Sequence, residues 1–280
     1  MRITYGLVLA VFVLQLPSAR TQQGAAPLPE IHQLMREVVD HQKQLDKVRE
    51  NYTFSSLATI EGVDSNGQVK KTETTEQENF FVNGHMINRA VKKDGKPLEG
   101  HEADKESERV TKLVEKAEKT PPDKPLEGPA FSVSRILDLM DVRNPRRENF
   151  RGRPTIVFDF QGRKDAHTEG VMEDASKKLK GTLWVDEQDR VVARLEVEFV
   201  DSFRVAGGLF ASIGKGTYFH LDQAPVNGEL WLPTNADGSF QARVLLVKSI
   251  RQRFKERDFD YERFRVETQT TRDAKVVGGK

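Results

Sequence analysis

The stretch Val191-Val192-Ala193-Arg194-Leu195-Glu196-Val197-Glu198-Phe199 decides the fold. Every second residue from Val191 onward is apolar, and the residues between them are Val192, one arginine and two glutamates. A strand with this alternation has one dry face and one wet face. Such a strand is typical of an antiparallel sheet that is covered on one side only.

Similar strands are predicted on both sides of this stretch. They cover Tyr52 to Ile60, Gln68 to Val82, Met86 to Val91, Ile156 to Phe160, Lys215 to Leu221, Glu229 to Leu232, Phe240 to Phe254 and Tyr261 to Thr268. Hairpin turns are predicted at Asp64-Ser65-Asn66-Gly67, Asn83-Gly84, Asn227-Gly228 and Asp237-Gly238. Everything after Asn149 is interpreted as strands, for a total of about nine or ten. A sheet this long has to curl, so helices or a ligand have to fill its concave side.

Two main helices are predicted. The first carries an apolar stripe of Ile31, Leu34, Val38, Leu45 and Val48, ends near Asn51 and has no evident N-cap. The second is short, with Ser134 as its N-cap and Ile136, Leu137, Leu139 and Met140 as its apolar residues. Between them, residues 92–128 form a charged helical arm that is interpreted as an insertion or connecting segment on the surface.

Composition excludes several classes of protein. The chain has 280 residues, with 44 Lys+Arg against 43 Asp+Glu, a formal net charge of +1 and no cysteine. Without cysteine there are no disulfides, zinc knuckles, thiol nucleophiles or iron–sulfur clusters. The near-zero net charge gives no long-range attraction to nucleic acid, so no nucleic-acid partner is expected.

The N-terminus resembles an export signal. Arg2 is followed by the apolar run Ile3 to Leu16 and then by the small-residue zone Pro17-Ser18-Ala19. We therefore expect a signal peptide over residues 1–19 and a single domain over residues 20–280. The run is too short to span a bilayer comfortably, since about 20 apolar residues are needed. The mature chain is expected to be periplasmic or secreted, to lack a transmembrane segment and to be a monomer.

The motifs that could carry chemistry are weak. No two of the six histidines have metal-ligand spacing, and the metal-like cluster His101-Glu102-Ala103-Asp104 lies in the charged arm. The segment from Gly208 to Thr217 fails the phosphate-loop pattern and the nucleophile-elbow pattern. We therefore predict no catalytic residue, no cofactor and no metal, and a protein that is not an enzyme. The apolar segment Val205 to Phe210 is interpreted as a lip over a hydrophobic cavity.

Three stretches resemble a known family. Gly181-Thr182-Leu183-Trp184-Val185-Asp186 with the strand after it, Gly228-Glu229-Leu230-Trp231-Leu232-Pro233-Thr234, and Asp260-Tyr261-Glu262-Arg263-Phe264 are similar to motifs of the outer-membrane lipoprotein-sorting (LolA-like) superfamily and its secreted relatives. The resemblance covers about residues 150–270 and implies an α+β fold. That fold is an unclosed half-barrel, which is a strongly curved antiparallel sheet with helices covering its concave face. In the family, the concave face holds acyl chains.

The resemblance implies a periplasmic carrier that binds a lipid or a lipidated protein. Nine candidate lining residues are taken from the dry faces and from the lip: Phe158, Phe160, Phe199, Phe203, Phe219, Leu246, Val205, Leu209 and Phe210. For each of them ordinary core packing is the alternative interpretation. Two other functions stay open, namely a non-enzymatic module that binds or senses an envelope protein partner, and a secreted hydrolase.

Overall fold

The computed structural model describes residues 27–122, 124, 126, 139–205, 211–244 and 248–263. Three helices lie in these residues: α1 (Ile31–Arg49), α2 (Gly100–Lys119) and α3 (Val171–Ser176). Thirteen strands accompany them: β1 (Tyr52–Val63), β2 (Val69–Val82), β3 (His85–Lys93), β4 (Lys96–Pro97), β5 (Met140–Phe150), β6 (Arg153–Gly162), β7 (Leu179–Asp186), β8 (Val192–Phe199), β9 (Phe203–Val205), β10 (Ala211–Ile213), β11 (Tyr218–Val226), β12 (Leu230–Val244) and β13 (Lys248–Arg263).

All thirteen strands belong to one antiparallel sheet. Its order is β4-β3-β2-β1-β13-β12-β11-β8-β7-β6-β5, and the short hairpin of β9 and β10 joins it because β10 pairs with β12 beyond the end of β11. Within the described ranges no pairing joins the two edge strands, β4 and β5. The sheet is therefore open, and the predicted α+β fold with an unclosed half-barrel is confirmed.

Helix α1 covers one end of one face of the sheet, which we call the concave face. Its residues Leu34, Met35 and Val38 are buried against strands β6 and β7. The expectation that α1 lacks an N-cap is wrong, because the Glu30 carboxylate accepts hydrogen bonds from the backbone N–H groups of His32 and Gln33. The same bonds lower the pKa of Glu30 to about 2. Glutamate is a weaker N-cap signal in a sequence than Ser, Thr or Asp.

Helix α2 lies along the edge of the sheet. The Glu106 carboxylate accepts a hydrogen bond of 2.7 Å from the backbone N–H of Ala90, and the Arg109 guanidinium donates one of 2.6 Å to the backbone oxygen of Asn88. In the described ranges, this part of β3 has no strand on its outer side. The predicted charged arm thus contains the end of β3, the short β4 and a helix that satisfies the hydrogen-bonding groups of an edge strand.

Several expectations about the second half are wrong. The sheet has thirteen strands rather than nine or ten, and α3 interrupts the region that was expected to contain strands only. Residues 245–247 separate β12 from β13, so Phe240 to Phe254 is not one strand, and Asp237-Gly238 lies inside β12 rather than in a turn. Met140 begins β5 instead of ending a helix. The sequence Leu245-Leu246-Val247 contains no turn residue, so nothing in it marks the end of a strand.

Two sequence expectations fall outside the described residues. The signal peptide over residues 1–19 is one, and the short helix that starts at Ser134 is the other, apart from its last two residues. The division into a leader and a single domain over residues 20–280 stays a prediction.

Candidate functional site

An apolar row crosses most of the concave face. Directly paired residues on eight neighbouring strands follow one another in this order: Val142, Phe160, Gly181, Val197, Phe219, Gly238, Phe254 and Ile60. We call this row the apolar band. Paired residues on adjacent strands point to the same side of a sheet, so the band is continuous. It ends at Glu73 of β2, which pairs with Ile60.

The apolar band is only partly covered. Six of its residues are half-buried, Gly238 is buried, and the Ile60 side chain at its end is 41% exposed. The neighbouring row towards α1 contains Phe158, which is fully buried beneath the helix together with Leu183. Helix α1 therefore closes one end of the concave face and leaves the band accessible among the described residues.

Two glycines allow aromatic rings to lie flat in the band. A Cβ atom on Gly181 would lie 2.3 Å from the ring of Phe160, and one on Gly238 would lie 2.4 Å from the ring of Phe254. The ring of Phe219 stacks on that of Phe254 at a centroid distance of 6.0 Å. The rings therefore cover the sheet surface where a side chain is absent, and a smooth apolar surface results.

The register brings most of the predicted lining residues to the concave face. Phe160 and Phe219 belong to the apolar band, and Phe199 lies two residues from Val197 on the same side of β8. Phe203 and Val205 lie on the same face, because the β10 residues with which they pair are themselves paired with residues on that face of β12. Phe158 belongs to the core under α1 rather than to an accessible surface. Leu246, Leu209 and Phe210 lie outside the described residues.

A cavity lies at the side of the concave face where β9 runs. It measures about 630 Å³, and its lining includes Phe203, Val205 and Val171 of α3 together with charged residues around Asp201. Its size is in the range of ligand sites in proteins. Two of the predicted lining residues therefore line a cavity, although it is not enclosed by apolar groups alone.

Sequence reasoning missed Phe254, Val197 and Ile60 as members of the band. The sequence does not place Phe254 opposite Gly238, because no turn residue marks where β12 ends and β13 begins. The alternation along β12 places Gly238 and Ala242 on one face. Phe254 is placed on that face only once the end of β12 is known.

A pair of acidic residues lies on the concave face beside the band. Glu256 and Asp258 follow Phe254 at every second position of β13, and Asp258 pairs with the buried Ser56. One carboxylate oxygen of Asp258 is buried and has no hydrogen-bond partner. Burial and, to a smaller extent, the neighbouring Glu256 together raise the pKa of Asp258 to about 7.

The opposite face carries structural polar contacts. The Trp231 indole N–H donates a 2.9 Å hydrogen bond to Asp189, and Arg153 bridges Asp189 and the fully buried Asp186 at 2.7 and 2.5 Å. The Trp184 indole N–H donates to Glu148. Both tryptophans thus sit in packed contacts away from the apolar band. Within the described part of the chain, no group of three potential metal ligands is found.

Comparisons with known proteins found matches among solved structures only. No family model matches the chain, and no curated protein matches it. A solved domain from Vibrio parahaemolyticus, assigned to the outer membrane lipoprotein-sorting proteins, is 11% identical with a TM-score of 0.36, covering 82% of this chain and 92% of that chain. A DUF1329 family protein from Desulfovibrio piger is 11% identical with a TM-score of 0.31, covering 82% and 92%. A LolA superfamily protein from Nitrosomonas europaea is 12% identical with a TM-score of 0.29, covering 82% and 94%.

Matches at this distance do not say what the chain binds, so its function has to be argued from its own surface. Neither of the two long helices in the described residues is apolar enough to cross a membrane.

Proposed function

We propose that this protein binds the acyl chain of a lipid or of a lipidated protein along the apolar band and carries it in the periplasm or outside the cell. The observation that carries the proposal is the band itself. It crosses eight strands, or seven strand spacings of about 4.8 Å, which gives a strip of roughly 34 Å. Its flat rings and glycines offer a continuous apolar surface that is half exposed.

The energetics favour an acyl chain as ligand. Each methylene group that leaves water contributes about 0.8 kcal/mol, so burial of a chain of ordinary length supports useful affinity without a specific polar contact. No catalytic group is required, and the protein acts as a binder rather than as an enzyme. Export by the predicted leader would bring the protein to the compartment where such ligands are carried.

The test is the binding of a fluorescent fatty acid to the purified mature chain. Replacement of an exposed band residue by a polar one, Ile60→Ser, is expected to weaken binding. Phe254→Ser is expected to weaken it by about tenfold, the equivalent of about 1.4 kcal/mol, because part of the area of the half-buried ring leaves water on binding. The matched controls are Val69→Ser, which is 45% exposed outside the band, and Phe259→Ser, which lies on the opposite face of β13. Equal affinity in band variants and controls, or no binding by the wild type, would refute the proposal.

A second function is favoured by one observation. Among the described residues the band is open along its length instead of lying in an enclosed apolar cavity. An open apolar strip also fits a segment of a partner protein, as in an envelope interaction or sensor module. Co-purification of a protein partner that is lost in Ile60→Ser but kept in Val69→Ser, without fatty-acid binding by the wild type, would support this function instead.

A further inference from the structure

We propose that the outer face of the β9-β10-β12-β13 corner is an anion-binding site for a phosphate or phosphorylated group. This site lies on the side of the sheet opposite to the apolar band, so it does not depend on the proposed function. Four directly paired residues cross the corner in the order Arg204, Ser212, Arg243 and Ser249. The next row contains Arg251, which pairs with Gln241.

Three arginines line one cavity at this corner. Arg204 and Arg243 are separated by one strand, which corresponds to about 10 Å between their backbones. Arg251 lies diagonally from Arg243, at about 7–8 Å. These distances are within reach of long side chains that converge on one group. The cavity between them measures about 350 Å³, and Ser202, Ser212 and Ser249 add hydroxyl groups to its lining.

The three arginines differ from other arginines of the outer face in forming no direct contact with a carboxylate of the described residues, although the charge of Arg251 acts on Asp64. Arg146, Arg151 and Arg194 on the same outer face each form an ion pair with a carboxylate. In the described part of the chain, neither an ion pair nor a hydrogen bond is found for Arg204, Arg243 or Arg251. Arg204 and Arg243 are exposed, so solvent screens their mutual repulsion and leaves both side chains accessible to an anion.

Local charge in the sequence supports the same site. Residues 202–215 and 239–253 contain six basic residues and no acidic residue: Arg204, Lys215, Arg243, Lys248, Arg251 and Arg253. Two carboxylates close to the site have partners of their own, and one of them, Asp64, also interacts with the charge of Arg251. Asp201 pairs with Lys178, and Asp64 pairs with Lys70 and accepts two backbone N–H bonds. The site is therefore positive in a chain whose total charge is close to zero.

Arginine fits this ligand class well. The planar guanidinium donates two parallel hydrogen bonds to phosphate oxygens, and such charge-assisted bonds are about twice as strong as neutral ones. The serine hydroxyls can donate to the remaining oxygens. The shared chemistry is a phosphate group, and it can come from a free phosphorylated molecule or from the head group of an anionic lipid.

Two measurements on the full mature chain test the site and separate these sources. The first is calorimetric titration with inorganic phosphate at constant ionic strength. The second is flotation with phosphatidylcholine vesicles with and without phosphatidylglycerol. Arg243→Gln is expected to weaken binding by about tenfold, the equivalent of roughly 1.4 kcal/mol. The control is Lys255→Gln, which removes one positive charge from the outer face of β13 outside the cavity and is expected to change binding less than about twofold.

Each outcome decides the proposal. Phosphate binding that Arg243→Gln weakens supports a site for free phosphorylated molecules. Flotation that requires phosphatidylglycerol and is lost in Arg243→Gln, without binding of free phosphate, supports a head-group site. Equal weakening by Arg243→Gln and Lys255→Gln, or no binding in either measurement, would overturn the proposal. Fatty-acid binding is expected to be unchanged in Arg243→Gln, so failure here and failure of the carrier function are distinguishable.

Discussion

Phe254 lies flat over Gly238 of the neighbouring strand. A Cβ atom on Gly238 would lie 2.4 Å from the Phe254 ring and 2.6 Å from the backbone oxygen of Tyr218, so no side chain fits there. The backbone of Gly238 does not have a positive φ, and glycine is required by close approach rather than by a turn. The Asp237-Gly238 pair therefore looks like a hairpin signal in the sequence but serves the packing of β12.

The first prediction concerns this contact. Gly238→Ala is expected to displace the Phe254 ring and to lower the free energy of unfolding by about 1–3 kcal/mol, the usual cost of overpacking. Chemical denaturation measures the change. Fatty-acid binding is also expected to weaken, because the ring can no longer lie flat in the apolar band.

Gly62→Ala is the matched control for this prediction. Gly62 lies in β1, and a Cβ atom there would have its nearest neighbours at 3.9 Å, which is ordinary contact. We expect Gly62→Ala to be neutral or to stabilise by about 0.5–1 kcal/mol, because alanine loses less backbone entropy on folding. A loss of stability as large as that of Gly238→Ala would contradict the role of close packing.

The second prediction concerns the edge of the sheet. Glu106→Ala removes the acceptor for the Ala90 backbone N–H, and it also removes the partner of Arg109. Amide hydrogen exchange at Ala90 is expected to become faster, because the helix no longer protects the edge of β3. Glu108→Ala is the control, since Glu108 pairs with Lys112 at the exposed surface of the same helix. Equal exchange in the two variants would show that Glu106 does not protect the edge.

The sequence predicts the sheet well where turn residues mark the strand ends. Asn83-Gly84 and Asn227-Gly228 both have positive φ at their two residues, as the predicted hairpins require. Between β12 and β13 the sequence has no such marker, because Val244-Leu245-Leu246-Val247 is an uninterrupted apolar run. Local patterns therefore identify strands, whereas the pairing of β12 with β13 is decided by tertiary contacts such as that of Phe254 with Gly238.

The candidate sites also depend on the register of the strands, which the sequence does not show. In the sequence, basic, aromatic and acidic residues alternate along β13. The sequence alone therefore predicts that the acidic side chains neutralise the basic side chains. In the structure, Phe254, Glu256 and Asp258 face the concave side, whereas Arg251 and Lys255 face outward. Successive side chains of a strand point to opposite faces of the sheet, so the acidic and the basic side chains of β13 lie on different faces. Only the register shows that the outer face keeps its positive charge.

The third prediction concerns the buried carboxylate of Asp186. Burial alone would raise the pKa of Asp186, but its ion pair with Arg153 and the backbone N–H bonds from Asp189 and Gln188 outweigh burial, and the pKa is lowered. Arg153→Met leaves this carboxylate buried without its cation, and we expect a loss of about 3–5 kcal/mol at pH 7. Arg143→Met is the control, because both partners of the Arg143 pair with Asp141 are exposed and such pairs contribute about 0–1 kcal/mol.

The sign of the pH dependence follows from the lowered pKa of Asp186. The stabilisation is fully present above the unfolded-state pKa of about 3.9 and is lost as the pH falls through the folded-state pKa. Denaturation curves of the wild type are therefore expected to show decreasing stability below about pH 4. An Arg153→Met variant with the same stability as Arg143→Met at pH 7 would contradict this account.

The fourth prediction concerns Asp258, where the sign is opposite. Burial and the nearby Glu256 raise the pKa of Asp258 to about 7, so the folded protein binds a proton there more tightly than the unfolded chain does. Stability is therefore expected to decrease as the pH rises from about 4 to about 7, since ionisation places an unpaired charge in the sheet.

Asp258→Asn removes this charge and is expected to raise the free energy of unfolding at pH 8 by about 1–2 kcal/mol, since one pKa unit corresponds to about 1.4 kcal/mol. At pH 4 the gain is expected to vanish, because the folded wild type then carries a neutral Asp258. Asp260→Asn is the matched control: Asp260 lies two residues away, is exposed, and has a φ of 53° that asparagine also adopts readily. If the two variants had the same pH profile, the buried oxygen of Asp258 would not be the cause, and the loss of stability with rising pH would have to come from another group on the concave face.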